Sequence, residues 1–173
     1  MAQSPFKKKV SWWKAIGVAG LVAGSLDGVA AVVMYYAYTG HLDFNSTFQY
    51  ISSGVFGTAA FSGGFPLALL GVGFHFLIAF LFTIFYFLVY PRIRLQRIKP
   101  FISAIGYGLF IWLVMNLVVL PLSREPRGSF HLEQAIIAAL ILMALVGMPV
   151  SWLASRYYSR NGAVNRSAGP TLS

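Results

Sequence analysis

Apolar positions in this chain gather into four long runs, each close to the roughly 20 residues a helix needs to cross a hydrocarbon core of about 30 Å. The first extends from Ala15 to Tyr38, the second from Leu67 to Tyr90, the third from Phe101 to Leu120 and the fourth from Glu133 to Ser155. Backbone amides and carbonyls inside lipid find no water, so runs of this length must satisfy them internally, as helices. Aromatic residues flank the runs: Trp12 and Trp13 before the first, Tyr35, Tyr36 and Tyr38 at its end, and Trp152, Tyr157 and Tyr158 near the end of the fourth. Half-polar rings of this kind settle at membrane interfaces. Pro91 and Pro121 close the second and third runs. The pattern predicts an all-α fold, a four-helix transmembrane bundle in one domain over residues 1–160, and a polar, disordered tail over 161–173.

The link from Thr39 to Pro66 breaks this pattern. Phe48, Ile51, Val55 and Ala59 recur at helical spacing, with Asn45 or Ser46 placed to cap the start. Gly54, Gly57, Gly63 and Gly64 interrupt it too often for a fifth span. A short helix in the outer interface, or a re-entrant loop, is expected there. Asn45-Ser46-Thr47 also matches a glycosylation triplet, a pattern that chance supplies often.

Composition supports the bilayer as solvent. Of 173 residues, 58% are hydrophobic and 10% charged, where soluble domains carry about 25% charged. Thirteen Lys and Arg against four acids give a net charge of +9. The basic residues flank the apolar runs instead of forming a stripe with aromatics, so they orient a membrane protein and no nucleic-acid partner is expected. Lys7, Lys8, Lys9, Lys14, Arg92, Arg94, Arg97, Lys99, Arg156, Arg160 and Arg166 fall on one side, and Arg124 and Arg127 on the other. Eleven against two places both termini and the second loop in the cytoplasm, as in a multi-pass protein of the bacterial inner membrane. The first run is longer than a signal-peptide core and no Ala-x-Ala site follows it, so it reads as a retained span. The chain has no cysteine, which removes thiolate chemistry and disulfides. The two halves do not echo each other as the repeats of an inverted-repeat transporter do.

Few residues in the spans carry chemistry. Gly17, Gly20, Gly24 and Gly28 give the first span a strip of small residues, which lets a neighbouring backbone approach, within the bundle or across a dimer seam. Asp27 shares that face and lies about 17 Å inward of Tyr38, near mid-membrane. A carboxylate at that depth costs roughly 2.5–3.5 kcal/mol on insertion scales, so it pairs or faces a cavity. His75 lies about 12 Å below the outer end of the second span, within about 5 Å of the level of Asp27, and is its natural partner. Asn116, Glu133 and Gln134 add polar groups in the outer half, so Asp27, His75, Asn116, Glu133 and Gln134 form a candidate pocket open to the outer face. A bland reading stands beside it: a neutral Asp27 bonded across the bundle, and Glu133 complementing a helix dipole. Pro149, with Gly147, is expected to kink the fourth span. No haem, metal or other cofactor is expected, because only His75 lies deep in a span and no HExxH or carboxylate pair occurs. Ser25 or Ser53 with His75 and Asp27 makes a triad only on paper, without a nucleophile elbow, and no catalytic residue is assigned.

His75-Phe76 opening a Phe- and Ala-rich helix, then Tyr86, Pro91-Arg92-Ile93-Arg94-Leu95, Gly106, Gly108 and Pro121-Leu122, together resemble the YagU-like family of bacterial inner-membrane proteins. The resemblance covers about a third of the chain. It implies a helical bundle in the inner membrane, in a family associated with acid resistance. Two functions follow as expectations. One is a non-enzymatic bundle acting by association with itself or another membrane protein. The other is an outward-open binder or carrier of a small solute or proton using Asp27 and His75.

Overall fold

A computed structural model describes residues 10–125 and 131–167. Every element among them is helical. Four helices have the length and hydropathy to cross a membrane: Trp12–Thr39, Gly64–Arg92, Pro100–Leu122 and Leu132–Gly162. They are taken below as the first to fourth spans. The all-α four-helix expectation therefore holds, with the first three spans a few residues longer than their apolar runs and the fourth reaching Gly162, well past Ser155. The first and fourth spans end side by side. The Val10 amide donates to Asn161 Oδ1 at 3.2 Å, and Asn161 Nδ2 donates to the Val10 carbonyl at 3.1 Å. We call this the terminal face and the opposite one the distal face.

The fourth span continues as helix to Ser167. Residues 161–167 therefore depart from the disordered tail that their polarity suggested. A helix needs only its backbone ladder to cross a change in polarity, and the Asn161–Val10 pair anchors this one. Residues 168–173 lie outside the described residues.

The core fills the terminal half of the bundle. Ala19, Ala23, Phe87, Val150 and Ala154 are buried there with the rings of Tyr86, Tyr90 and Tyr107. Apolar burial drives nothing in lipid, so contact must come from fit, and small residues supply it. A Cβ on Gly108 would collide with the Met143 backbone, and one on Gly147 with the Ala104 carbonyl, so the third and fourth spans touch backbone to backbone. Between the second span and its neighbours the spacers are rings. The Tyr107 hydroxyl donates to the Phe82 carbonyl. Phe85 and Phe110 stack with centroids 5.1 Å apart.

The third and fourth spans each carry a π-helical segment just ahead of a proline, whereas Pro91 in the last turn of the second span has none. Met115–Val119 precedes Pro121, and Leu142–Gly147 precedes Pro149. Proline has no N–H and its ring crowds the carbonyl four residues back. Widening the preceding turn relieves that clash and passes the hydrogen bonds one residue further. The irregularity expected at Gly147 and Pro149 takes this form.

The link between the first two spans holds the helix Phe44–Phe56, followed by the 3-10 turn Gly57–Ser62. Its cap is Asp43, not Asn45 or Ser46: Asp43 Oδ1 accepts from the Ser46 amide at 3.1 Å, and the Ser46 hydroxyl donates to the other oxygen. Those hydrogen bonds hold the Asp43 carboxyl below its usual range. Of the apolar residues at helical spacing, Phe48 is buried, Ile51 half-buried, and Val55 and Ala59 exposed. Thr47, Phe48, Gln49, Ser52 and Ser53 are buried, while Phe44, Tyr50, Val55 and Phe56 are exposed. Gln49 donates to the Gly64 carbonyl at 2.8 Å, and Ser52 to that of Leu67. In lipid the inside-out arrangement is the stable one, since polar groups find partners only against protein. This crossing helix lies over the second span and reaches the end of the third, where the Arg124 amide donates to the Gly54 carbonyl at 2.8 Å.

Candidate functional site

The site begins with the glycines of the first span. A Cβ on Gly20 would meet the Phe80 ring at 2.5 Å, one on Gly24 the Phe76 ring at 2.9 Å, and one on Gly28 the His75 Nε2 at 3.3 Å. The strip is therefore filled by the chain's own second span. Gly17 stands apart, half-buried, with nothing within 4 Å of its Cβ position.

His75 is buried where these two spans meet, and its Nε2 lies 2.8 Å from the Gly24 carbonyl. A carbonyl only accepts, so Nε2 carries the hydrogen, and Nδ1 is the ring nitrogen left to gain or lose a proton. Phe48 and Phe76 meet the imidazole edge-on, with centroids 6.0 and 5.5 Å away. Asp27 follows Gly24 by three residues on the same helix face, half-buried, and His75 acts electrostatically on its carboxyl. Beside the imidazole, Gly28, Val29, Val32, Phe44, Phe48 and Val72 line an apolar groove to which His75 and Ser25 add the polar groups. A histidine and a carboxylic acid thus stand within one turn of each other at the seam, the histidine against an apolar groove.

The other members of the expected pocket do not join the pair. Asn116 lies in the π segment of the third span, and its side chain donates to the Trp112 carbonyl of its own helix at 2.8 Å. Glu133 and Gln134 are exposed in the first turn of the fourth span, where Glu133 complements the helix dipole. Helical rise gives the depth of a residue but not the side of the helix it occupies, and a shared place in the outer half or at midplane is all that groups these five. Among the described residues no three His, Asp or Glu side chains gather as a metal site.

Two polar clusters were not anticipated. In the terminal half, the Tyr86 hydroxyl lies 2.7 Å from Ser103 Oγ and 2.8 Å from Ser151 Oγ, joining three spans at one buried point. The hydroxyls left no spacing signal, because they come from different helices.

On the distal face, the Tyr50 hydroxyl bonds to the Glu125 carboxyl. Burial pushes that carboxyl up, and the bond from Tyr50 pulls it partly back. Burial, with Glu125 beside it, pushes Tyr50 up to about 12. A carboxyl raised on folding holds its proton more tightly in the native state. Its contribution favours the fold below the ordinary glutamate range and is lost as pH rises through the raised value. Glu125→Gln keeps an acceptor for Tyr50 and removes the charge. Thermal unfolding in detergent is expected to match wild type near pH 4. Near pH 8 the variant is expected to be more stable by under about 1 kcal/mol, since the site is half open and screened.

Compared with family models, with curated proteins and with solved structures, this chain has no match.

Proposed function

We propose that this four-span membrane protein binds and releases a proton at Asp27 and His75, and so works as a proton-responsive binder or carrier and not as an enzyme. The supporting observation is the pairing itself. The one acid and the one histidine deep in the spans come from different helices and meet one seam: Asp27 lies one turn from Gly24, whose carbonyl is 2.8 Å from His75 Nε2. Because Nε2 is committed to the Gly24 carbonyl, a proton added to the pair goes to His75 Nδ1 or to the Asp27 carboxyl. Either addition changes the charge of a seam between two helices without giving up the hydrogen bond that joins them. The basic residues at the terminal face support a cytoplasmic position for both ends in a bacterial inner membrane. Access to the pair is then from the distal, outer side. The resemblance to the YagU-like family, with its association with acid resistance, points the same way.

The test is a pH gradient imposed on vesicles that contain the protein and an entrapped pH-sensitive dye. Wild type is expected to collapse the gradient faster than empty vesicles, while Asp27→Asn and His75→Ala match empty vesicles and keep wild-type helicity. Equal rates for wild type and both variants would remove this reading. Association with a second copy or another membrane protein rests on less, since Gly20, Gly24 and Gly28 are already occupied and Gly17 alone faces open space. Cross-linking in native membranes that returns partners would restore it.

A further inference from the structure

The geometry points to a binding site for one anionic phospholipid at the terminal face, with an acyl chain in the groove between the third and fourth spans and its phosphate between Arg156 and Lys99. The groove is lined by Pro100, Phe101, Met148, Pro149 and Trp152, and three of these side chains are strongly exposed: Phe101 58%, Met148 43% and Trp152 49%. Two prolines in its walls hold its shape, since a proline ring fixes its own backbone angle. The walls carry cations at one end only. The Arg156 guanidinium lies 4.0 Å above the Trp152 ring, which holds the long side chain at the groove edge. Lys99 immediately precedes Pro100, where the third span begins, and is exposed.

Charge selects the occupant. All four acids of the chain, Asp27, Asp43, Glu125 and Glu133, lie in the spans at mid-depth or at the distal face. The terminal face adds Lys14, Arg92, Arg94, Arg97 and Arg160 and places no carboxylate against a phosphate. A headgroup that keeps its negative charge is favoured there by each nearby cation. A zwitterionic headgroup brings its own ammonium into the same field and loses that advantage. An apolar groove with cations at the interfacial end fits the two parts of such a lipid together.

Trp152 makes the site measurable. Trp12→Phe, Trp13→Phe and Trp112→Phe together leave it as the single indole. In phosphatidylcholine vesicles containing a minor share of lipid with brominated chains, brominated phosphatidylglycerol is expected to quench Trp152 at least about twofold more than brominated phosphatidylcholine. Lys99→Gln with Arg156→Gln is expected to remove the excess, and Arg156→Lys to retain most of it. Met148→Phe, which fills the groove, is expected to remove it with both cations in place. Equal quenching by the two lipids overturns the site. So does an excess that survives Met148→Phe, because that outcome is attraction to a charged surface and not occupancy of a groove. Lipid carried through detergent purification by the wild-type protein gives an answer free of substitutions: phosphatidylglycerol enriched over its vesicle share supports the site, and an unenriched mixture overturns it.

Discussion

Gly71→Ala is expected to lift the crossing helix off the second span, at a cost of about 3 kcal/mol, the upper end of what forced backbone shifts cost. A Cβ on Gly71 would overlap the Phe48 carbonyl oxygen and crowd the Ser52 hydroxyl. The first of these is backbone and cannot rotate away, so the whole Phe44–Phe56 helix must move. Moving it breaks the Gln49 and Ser52 bonds to the carbonyls of Gly64 and Leu67, which have no water to replace them. Gly73, two residues on, is the control. Nothing lies within 4 Å of its Cβ position. Gly73→Ala is expected to gain up to about 1 kcal/mol from helix propensity alone. Unfolding by sodium dodecyl sulfate in mixed micelles, followed by circular dichroism, separates the two. Similar curves for both variants would mean that the close approach at Gly71 is not there.

The second large effect is expected at Phe87→Ala. Phe87 is fully buried and is the largest such side chain among the described residues. Its ring packs against Tyr157 and Tyr158, with centroids 5.9 and 6.2 Å away. The Tyr158 hydroxyl donates to the Phe87 carbonyl at 2.7 Å. Phe→Ala in a water-soluble core costs about 3–5 kcal/mol, part of it lost transfer from water and part the cavity. In lipid the transfer part falls away, since hydrocarbon solvates the ring as well as the core does. The expected cost is therefore near the bottom of that range, about 3 kcal/mol. The same micelle titration measures it. Phe87→Leu, which keeps most of the volume, is expected to lose less than half as much.

How far the chain could be read in advance follows from what one sequence encodes. Length and hydropathy place a span, so Trp12–Thr39 and its three counterparts are legible to within a few residues except at the polar end of the fourth, which runs past Ser155. Depth is also legible, which is why Asp27 and His75 could be paired by helical rise. Direction around the helix is not, and a place in the outer half is all that groups Asn116, Glu133 and Gln134 with that pair. The crossing helix was legible as a helix but not as to its face. The spacing of Phe48, Ile51 and Val55 marks a helix, but not that Phe48 turns inward while Val55 faces out. Its cap was missed because Asp43, Asn45 and Ser46 are all good capping residues, and the choice among them is made by the backbone at Asp43. Gly71, Gly108 and Gly147 look alike in sequence to Gly73 and Gly106, and only the position of the neighbouring backbone tells them apart.

The latch between Val10 and Asn161 has a topological consequence. Because the first helix begins where the last one passes, within hydrogen-bonding reach at Val10 and Asn161, a short peptide between those two points would close the polypeptide into a ring with little distortion. The order in which the helices are made could then be permuted. A new start placed in the distal connection between the first helix and the crossing helix would deliver the same bundle from a rearranged gene.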